Sequence, residues 1–358
     1  MSEKINQIEP EITAQDIDEV TKYLSSGSWI TEHKITGNLE DQISNIVGRK
    51  HSVAVPNGTI AIYLSLVANG ITKGKRVAVP NITMIATINA VIWADAIPVL
   101  IDVDSNLTMS INSLKEQSNL DAVIFVPLNG RTGNGLEIEK YCKENKILLI
   151  EDSAHALGSK YTNKNCGTLG DTSVLSFTPH KIITMGQGGM VLTDNADTNE
   201  KLINLKTFNR EKDKSDWHAG FGLNFKITDL QSALGLSQLS RLDSLIKKKK
   251  ELFQYFLNNL ENIEMVEFKD YETPWFIDII LSSKEECIEL SDYLKEESIE
   301  TRFCYPPLSL QQYLSKIEQT SLENSIDIAQ RILWLPSSTK LNEKDLEKIV
   351  TTINKFFK

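Results

Sequence analysis

The sequence predicts an α/β fold with a mainly parallel, seven-stranded sheet sandwiched between helices. Between residues 50 and 235, short continuous apolar runs alternate with segments of helical periodicity. Strands that are apolar along their whole length are typical of parallel sheets, because crossover helices bury both faces of such sheets. The chain has 358 residues, which is enough for one large domain and a smaller one.

The predicted elements follow one another in a regular order. The seven candidate strands lie at 51–55, 76–79, 97–101, 122–125, 147–150, 173–177 and 189–193, with helix-like segments at 59–68, 84–93 and 138–146. A long helical run from 230 to 259 comes next, and then a strand at 275–281, a helix at 284–297 and a final helix at 343–357. We therefore expect a large domain at 1–240, with an N-terminal segment that can pack on the small domain, and a small α/β domain at 241–358.

Composition excludes several classes of protein. The formal net charge is −10, which disfavours sequence-independent binding to nucleic acid. The four cysteines have no C-x-x-C spacing, so neither a zinc site nor a disulfide framework is expected. No apolar stretch approaches the roughly 20 residues that span a bilayer, and the N-terminus does not resemble a signal peptide. We expect a cytoplasmic protein with reduced thiols and without a metal centre, a membrane anchor or a nucleic-acid partner.

One basic run stands inside the predicted long helix. It reads Lys247-Lys248-Lys249-Lys250. Charged side chains are seldom fully buried. We interpret the run as the solvated face of a helix that connects the two domains.

A carboxylate and an amine follow two of the predicted strands. The run at 147–150 continues directly into Glu151-Asp152, and Lys181 follows the run at 173–177, shortly before the glycine-rich segment 186–189. Taken singly, such an aspartate is most often a helix cap and such a lysine a solvated surface group. A carboxylate can, however, pair with a protonated pyridine nitrogen, and a lysine in apolar surroundings can lose its proton and form a Schiff base. Their order and spacing together favour this second interpretation.

These motifs resemble those of the DegT/DnrJ/EryC1/StrS family of pyridoxal-phosphate (PLP) sugar aminotransferases, over nearly the whole chain. The family pattern consists of four linked motifs. This chain has E-D-x-A-[QH]-A-x-G at 151–158, G-D at 170–171, S-F-x-x-x-K at 176–181 and, with one change, G-E-G-G at 186–189. The resemblance implies PLP fold-type I, as in aspartate aminotransferase, and a homodimer with shared active sites. It also implies amino transfer to a keto-sugar carried on a nucleotide.

The resemblance assigns roles to particular residues. Lys181 would form the Schiff base and then shuttle a proton, and Asp152 would pair with the pyridine nitrogen. His155 would lie near the ring hydroxyl. The phosphate would be bound by Gly58, Thr59 and Ser176. The Asn57-Gly58-Thr59 turn also opens a predicted helix, and a helix N-terminus is a ready site for an anion.

Two further cofactor contacts are implied by the family pattern. Met84 stands where relatives carry an aromatic residue over the pyridine ring, and core packing of Met84 is an equally good interpretation. Asn224, in Gly222-Leu223-Asn224-Phe225-Lys226-Ile227, matches an asparagine that reaches the neighbouring subunit's phosphate. A helix-capping role is the alternative for Asn224.

The implied reaction is a ping-pong transamination. An amino acid, by family habit L-glutamate, would convert PLP to pyridoxamine 5′-phosphate, and the amine would then pass to a nucleotide-linked 4-keto-6-deoxyhexose for cell-surface glycan or deoxysugar biosynthesis. Within the family the chain resembles perosamine synthases in three short segments, which are weak markers of substrate: Ser28-Trp29-Ile30, Ile299-Glu300-Thr301-Arg302 and Leu335-Pro336-Ser337-Ser338. Related sugar dehydratases carry histidine where Lys181 stands, so Lys181 favours transamination.

Departures from the family pattern leave the substrate open. The V-H-L-[YF]-G segment reads Val126-Pro127-Leu128-Asn129-Gly130, the G-E-G-G glutamate is Gln187, and the arginine near Asn224 is Lys226. Alternatives are an aminotransferase of another small phosphorylated ketone, a sugar dehydratase using the same cofactor, and a non-catalytic regulatory relative. The nucleotide, the sugar, and the ring position and stereochemistry of the new amine are not determined by these motifs.

Overall fold

A computed structural model describes residues 4–211 and 213–358 of the chain. Its helices are α1 (Ala14–Ser25), α2 (Lys34–Val47), α3 (Gly58–Ala68), α4 (Ala86–Trp93), α5 (Ile111–Lys115), α6 (Gly135–Asn145), α7 (Ala196–Lys206), α8 (Asp229–Leu239), α9 (Leu242–Asn259), α10 (Lys284–Glu296), α11 (Glu323–Arg331) and α12 (Glu343–Phe356). Its strands are β1 (His51–Val55), β2 (Arg76–Pro80), β3 (Ile97–Ile101), β4 (Ala122–Phe125), β5 (Leu148–Asp152), β6 (Lys160–Tyr161), β7 (Lys164–Asn165), β8 (Thr172–Ser176), β9 (Gly189–Thr193), β10 (Glu264–Met265), β11 (Ile277–Ile280), β12 (Arg302–Phe303), β13 (Glu318–Gln319) and β14 (Ile332–Leu335).

The central sheet has the predicted α/β character. Its strand order is β1-β9-β8-β5-β4-β2-β3-β13, and β9 alone runs antiparallel to its neighbours. All seven predicted strands belong to it, but the sheet has eight strands because β13 pairs in parallel with β3. A two-residue strand carries no periodic pattern, so β13 could not be predicted. Helix α3 packs on β8 and β9, and the apolar strands are buried as expected.

The predicted helix from 230 to 259 is wrong as a single element. Two helices, α8 and α9, meet at Ser240 and Arg241. Arg241 leaves helical geometry, with φ −108° and ψ 6°, and its guanidinium donates to Asp16 Oδ2 at 2.7 Å. The buried Asp16 also accepts from Ser237 and Gln238, so the α8 end is tied to α1. Apolar periodicity continues through such a corner and does not reveal it.

A second, antiparallel sheet is built from the C-terminal part of the chain. Its order is β10-β11-β14-β12, and its apolar residues share a separate core with α9, α10 and α12. The N-terminal segment packs here, because Ile5 pairs with Ile299 and Gln7 O accepts from Ser337 N at 2.7 Å. The division of the chain into domains at residue 240 stays a prediction.

The basic run in α9 is only partly solvated, contrary to our interpretation. Lys249 is 3% exposed, and its Nζ donates to the carbonyls of Trp275, at 2.8 Å, and of Ser337. Burial lowers the pKa of Lys249 to about 7. Lys249 lies four residues after the buried Leu245, so helical periodicity turns its side chain inward with the apolar face of α9.

No helix in the described ranges combines the length and the apolar character needed to cross a bilayer. The four cysteines, which are Cys142, Cys166, Cys287 and Cys304, are all buried free thiols. Burial raises the pKa of Cys142 to about 12. These thiols therefore behave as core side chains.

Candidate active site

Three strand ends meet at the phosphate side of the predicted site. The sheet register places Val55 of β1 and Ser176 of β8 on either side of Gly189 in β9. A Cβ on Gly189 would lie 2.5 Å from the Asn57 carbonyl carbon, and a Cβ on Gly58 would lie 3.1 Å from Ser176 Cβ. The glycines therefore allow the Asn57-Gly58 turn to approach the Ser176 side chain closely.

The same turn opens helix α3. Asn57 caps the helix, with its Oδ1 accepting from Ile60 N at 3.0 Å. The first N–H groups of a helix have no acceptor within the helix and carry the positive end of its dipole. Gly58 and Thr59 supply these groups beside the Ser176 hydroxyl. The arrangement suits a phosphate dianion.

Asp152 ends β5 as a buried carboxylate with few donors. Its Oδ2 accepts from Thr87 Oγ1 at 2.9 Å, and its Oδ1 accepts from Ala154 N at 3.3 Å. Thr87 is in turn within hydrogen-bond distance of Thr83. Burial raises the pKa of Asp152, while the Thr87 hydrogen bond and the nearby Lys181 act in the opposite direction. A carboxylate in this setting is stabilised by a cationic partner.

The neighbouring Glu151 lies in a different environment. Its carboxylate accepts from Gly167 N at 2.9 Å, Leu169 N at 2.8 Å and Tyr161 Oη at 2.9 Å. These donors hold the loop after β7 against the sheet. Glu151 points into the protein on the opposite face of the strand from Asp152, because successive side chains of a strand alternate. Of the two carboxylates, Asp152 is the one that faces Lys181.

Lys181 lies against an aromatic wall. Its Nζ is 4.0 Å from the centroid of the Trp275 ring, whose Nε1 donates to His180 O at 2.7 Å. Burial lowers the pKa of Lys181 to about 7; the charge of Asp152 opposes this shift, and that of Arg302 adds to it. A large fraction of the amine is therefore unprotonated near neutral pH, as a nucleophile requires.

His155 packs on the same tryptophan. The two ring centroids are 3.9 Å apart, and among the described residues none bonds to His155 Nδ1 although that atom is buried. Burial lowers the pKa of His155 well below its usual value, with the charges of Lys181 and Arg302 acting in the same direction. The imidazole is therefore neutral. His155, Ser176, Lys181 and Trp275 line one small cavity.

Met84 and Asn224 are the two candidates at the periphery. Met84 is 42% exposed and lies just before α4, three residues from Thr87. Asn224 is exposed, and its backbone pairs with Thr207. Within residues 4–211 and 213–358, no hydrogen bond joins Asn224 to the other candidates. The chain thus brings Gly58, Asp152, His155, Ser176 and Lys181 together without Asn224.

Sequence reasoning missed Trp275, which belongs to the segment before β11. Its backbone N donates to Asn129 O at 2.9 Å, and its carbonyl accepts from Lys249. In the sequence Trp275 was only the first residue of a predicted strand at 275–281. Its contact with Lys181 spans 94 positions of the chain, and no local signal indicates it.

Two departures from the family pattern have clear structural positions. Asn129 is buried, and its Nδ2 donates to Asp278 Oδ1 at 2.8 Å, so it links the turn after β4 to β11 of the second sheet. Gln187 is exposed, and its carbonyl accepts from Gln231 Nε2 at 2.8 Å. Asn129 therefore supports the segment that carries Trp275, whereas the amide of Gln187 lies in solvent.

The site fits a phosphorylated pyridine aldehyde. A helix N-terminus with a serine suits its phosphate, a buried aspartate suits its ring nitrogen, and a desolvated lysine suits its aldehyde carbon. The unbonded His155 Nδ1 leaves a further polar atom for the ring substituents. Fold and site together define a PLP-dependent aminotransferase of fold-type I.

Comparison with known proteins identifies the family. The model of the DegT/DnrJ/EryC1/StrS aminotransferase family matches residues 10–354, and the chain belongs to this PLP-dependent family. It is 32% identical over 360 residues to the GDP-perosamine synthase of Escherichia coli O157:H7, covering 98% of this chain and 97% of that one.

Solved structures agree on the fold. Helicobacter pylori PseC, an aminotransferase involved in the biosynthesis of pseudoaminic acid, superposes with a TM-score of 0.92 at 24% identity over 99% of each chain. A Streptococcus pneumoniae chain described as a sugar aminotransferase, solved in a PLP form, gives 0.94 at 23% identity over 99% of this chain and 98% of that one. The predicted family, fold type, cofactor and aminotransferase class are confirmed. The residue roles stay predictions.

Proposed function

We propose that this aminotransferase moves an amino group from an amino acid, L-glutamate, to a nucleotide-linked 4-keto-6-deoxyhexose. The product would serve cell-surface glycan or deoxysugar biosynthesis. The observation that carries the chemistry is the desolvated Lys181, which lies within electrostatic reach of Asp152 and against Trp275. The similarity to GDP-perosamine synthase supports a sugar nucleotide as acceptor.

Lys181 and Asp152 are the proposed catalytic residues. PLP supplies an electron sink for the carbon that exchanges its amine. Lys181 would hold the cofactor at its aldehyde carbon, and its Nζ would be the group that accepts and returns the proton of the carbon that exchanges its amine. Asp152 holds a proton on the ring nitrogen by electrostatic pairing, and Thr87 orients the carboxylate with a 2.9 Å hydrogen bond.

The remaining residues position the cofactor in our proposal. Gly58 and Thr59 at the N-terminus of α3, with Ser176, bind the phosphate. His155 donates to the ring oxygen, consistent with its neutral imidazole and with the lack of a described partner for Nδ1. Met84, exposed at the start of the α4 region, covers one ring face in place of an aromatic side chain.

The proposed acceptor is tested with pyridoxamine-loaded protein and a panel of nucleotide keto-sugars. We expect a product whose mass shows replacement of the carbonyl oxygen by an amine, together with return of the PLP absorbance. Lys181→Ala is the matched negative control. Amination of a simple phosphorylated ketone alone, or loss of water from the sugar without gain of nitrogen, would replace our proposal with one of its alternatives. Protein that never binds the cofactor would indicate a non-catalytic relative.

We also propose that the enzyme is a homodimer with shared active sites. Asn224 is exposed in a segment that presents large aromatic side chains, with Trp217 62% and Phe221 71% exposed. The nearby Phe225 contacts Trp93, which is itself half exposed. Exposed apolar surface of this kind favours association with another chain. In the dimer Asn224 would reach the partner's phosphate site.

A mixing experiment tests this arrangement. Lys181→Ala and Asn224→Ala proteins, each inactive, are combined under conditions that allow subunit exchange. Hybrid dimers would contain one site with both residues intact. About half of the wild-type activity per hybrid dimer is therefore expected, or about a quarter for a fully exchanged equimolar mixture, in which half of the dimers are hybrids. If exchange is demonstrated by differently tagged subunits and no activity returns, Asn224 acts only within its own chain.

We place the enzyme in the cytoplasm. All four cysteines are free and buried, which fits a reducing compartment where disulfides do not form. Thiol titration of protein purified under denaturing and non-reducing conditions should count four free thiols.

A further inference from the structure

Trp275 connects the reactive lysine to a second, buried lysine. The centroid of its ring lies 4.0 Å from Lys181 Nζ and 3.9 Å from the centroid of the His155 ring. Its carbonyl accepts a 2.8 Å hydrogen bond from Lys249 Nζ. Trp275 therefore contacts two candidate cofactor residues with its side chain and helix α9 with its backbone.

Three hydrogen bonds fix the orientation of this tryptophan. Its backbone N donates to Asn129 O at 2.9 Å, its indole Nε1 donates to His180 O at 2.7 Å, and the bond from Lys249 is the third. These partners belong to the turn after β4, to the residue before Lys181 and to α9. Because the backbone and the ring are both anchored, the face that the ring turns to Lys181 is fixed.

Lys249 is an unusual residue for such an anchor. Its amine is buried, and besides Trp275 it bonds the carbonyl of Ser337, which follows β14. The other buried lysine of the described ranges, Lys206, lies 3.0 and 3.4 Å from two glutamate carboxylates. An amine buried without a carboxylate carries a desolvation cost that bonds to two neutral carbonyls offset only in part. The alignment of these carbonyls therefore explains Lys249 better than a gain in stability does.

We propose that Lys249 is a positioning residue for Lys181, because by fixing Trp275 it holds the indole ring over the reactive amine and keeps water away from it. This inference rests on the proposed function, in which Lys181 is the cofactor lysine. Burial is the largest influence on the pKa of Lys181, followed by the charges of Asp152 and Arg302, and the ring supplies part of that burial. The charge of Lys249 does not enter, so Lys249 acts through the ring.

Two effects of the ring on the basicity of Lys181 oppose each other. A ring face attracts an ammonium ion and raises its pKa, whereas exclusion of water lowers the pKa. The pKa of Lys181 is about 7, well below the ordinary 10.5, so exclusion of water is the larger effect. Loss of the ring or of its anchor should therefore raise this pKa. The other titratable or charged groups that face Lys181, namely Asp152, His155, His180 and Arg302, are the same in every variant below.

Competitive acetylation of the cofactor-free chain measures this effect without turnover. Trace acetic anhydride followed by peptide mass spectrometry gives the unprotonated fraction of Lys181 at each pH. Lys249→Met should move the midpoint upward by about one pH unit, which lowers the labelling of Lys181 at pH 7 about 5-fold. Lys249→Arg keeps donors for both carbonyls and should restore the labelling to within about 2-fold of wild type. Lys250→Met, which removes a solvent-exposed bond to Asp270 O, is the matched control and should behave as wild type.

A double variant shows whether Lys249 acts through the ring. Trp275→Leu should shift the midpoint upward at least as far as Lys249→Met does, and the combination should shift it no further than Trp275→Leu alone. If Lys249→Met does not fold, Lys249→Gln, which is shorter but keeps a donor, should give a smaller upward shift. Additive shifts, an unchanged midpoint or a downward shift would each overturn the proposal.

The same measurements separate this inference from the proposed function. If the variants shift the midpoint of Lys181 but PLP bonds to no lysine of the wild-type protein, the proposed function fails and the coupling of the two lysines stands. If PLP is found on Lys181 and the midpoint is the same in all variants, the proposed function stands and the positioning role of Lys249 is refuted.

Discussion

The surroundings of Lys181, which is partly buried, and of Lys249, which is fully buried, show two opposite uses of a desolvated lysine. Burial lowers the pKa of each to about 7. Lys249 donates to two backbone carbonyls, those of Trp275 and Ser337, and thereby fixes the segment before β11 and the one after β14. Lys181 has an aromatic face beside its amine and a carboxylate within electrostatic reach, and no hydrogen bond of its Nζ is found in the described residues.

The difference between Lys181 and Lys249 shows that a low basicity does not by itself make an amine reactive. A lowered pKa makes an amine available in its neutral form, but a nucleophile also needs an unoccupied lone pair that faces a ligand cavity. Lys181 meets both conditions, since it lines the cavity with Ser176 and His155. Lys249 meets only the first. The two lysines also cooperate, because Lys249 holds the carbonyl of the same Trp275 whose ring contacts Lys181.

The largest effect should come from removing the reactive amine. Lys181→Ala should reduce turnover by at least about 1,000-fold, since both the covalent bond and the proton shuttle are lost. Reduction with borohydride followed by peptide mass spectrometry should find the cofactor on Lys181 in wild type and on no lysine in the variant. Lys249→Met should keep the adduct. A cofactor found on Lys249 would reverse our assignment of the two lysines.

The carboxylate beside Lys181 should have the next largest effect. Asp152→Asn should lower kcat by about 100- to 10,000-fold, because the ring nitrogen loses its charged partner in both half-reactions. Glu151→Gln is the matched control; its carboxylate is occupied by three donors and faces away from the cavity. Glu151→Gln should lower the thermal midpoint of unfolding, while kcat of the protein that remains folded should stay close to the wild-type value. Near-normal turnover in Asp152→Asn, with a strong loss in Glu151→Gln, would mean that the wrong carboxylate has been chosen.

Lys249→Met should lower the free energy of unfolding by about 2 kcal/mol at pH 9, because two buried carbonyls lose their donor. The folded pKa of about 7 lies below the ordinary value of 10.5. The unfolded chain therefore binds more protons between these values, and the contribution of Lys249 grows as pH rises from 7 towards 10. The gap between wild type and variant, measured by urea unfolding, should be smaller at pH 6 than at pH 9. A gap that widens towards low pH would show that Lys249 is buried as an ammonium ion.

The smallest effect concerns the pH dependence of cofactor capture. Cofactor-free protein should form its covalent bond with PLP at a rate that rises with pH and is half-maximal near pH 7, since only the neutral Lys181 reacts. Arg302→Gln should move the midpoint upward, because a cation that disfavours protonation is removed. Absorbance measured after rapid mixing at each pH follows the reaction. A midpoint near 10 in wild type would show that the amine is solvated in the cofactor-free protein.

Most of the Lys181 site could be predicted because each of its parts lies in a local sequence pattern at a strand end or a helix start. Asp152 and Ser176 end their strands, and Gly58 begins the helix that follows a strand. In a parallel sheet these ends gather at one edge, so local patterns and the strand order suffice. Gly189 was part of the recognised motif, but the sequence showed no physical reason for a glycine at that position. The register of β1, β9 and β8 supplies the reason, since only a hydrogen atom fits against the Asn57 carbonyl.

The surroundings of Lys249 and the elements around the second sheet were predicted less well, and the reasons are physical. Lys249 stands in a run of four lysines, and only the orientation of α9 decides which of them is buried. Strand β13 has two residues, and its place at the edge of the main sheet depends on a parallel pairing with β3. Trp275 reaches the cavity from the segment before β11, and the second sheet is joined to the first by buried contacts such as Asn129 with Asp278.

The sequence by itself predicted the family, the cofactor and the class of reaction, and it supplied the residues that we propose for the ring and the phosphate. These depend on strand ends and helix starts, which neighbouring residues specify. Only the tertiary structure decided which lysines have a lowered pKa and which carboxylate faces the amine. Burial and pairing are properties of what surrounds a side chain in space, and those surroundings come from residues that are far apart in the chain.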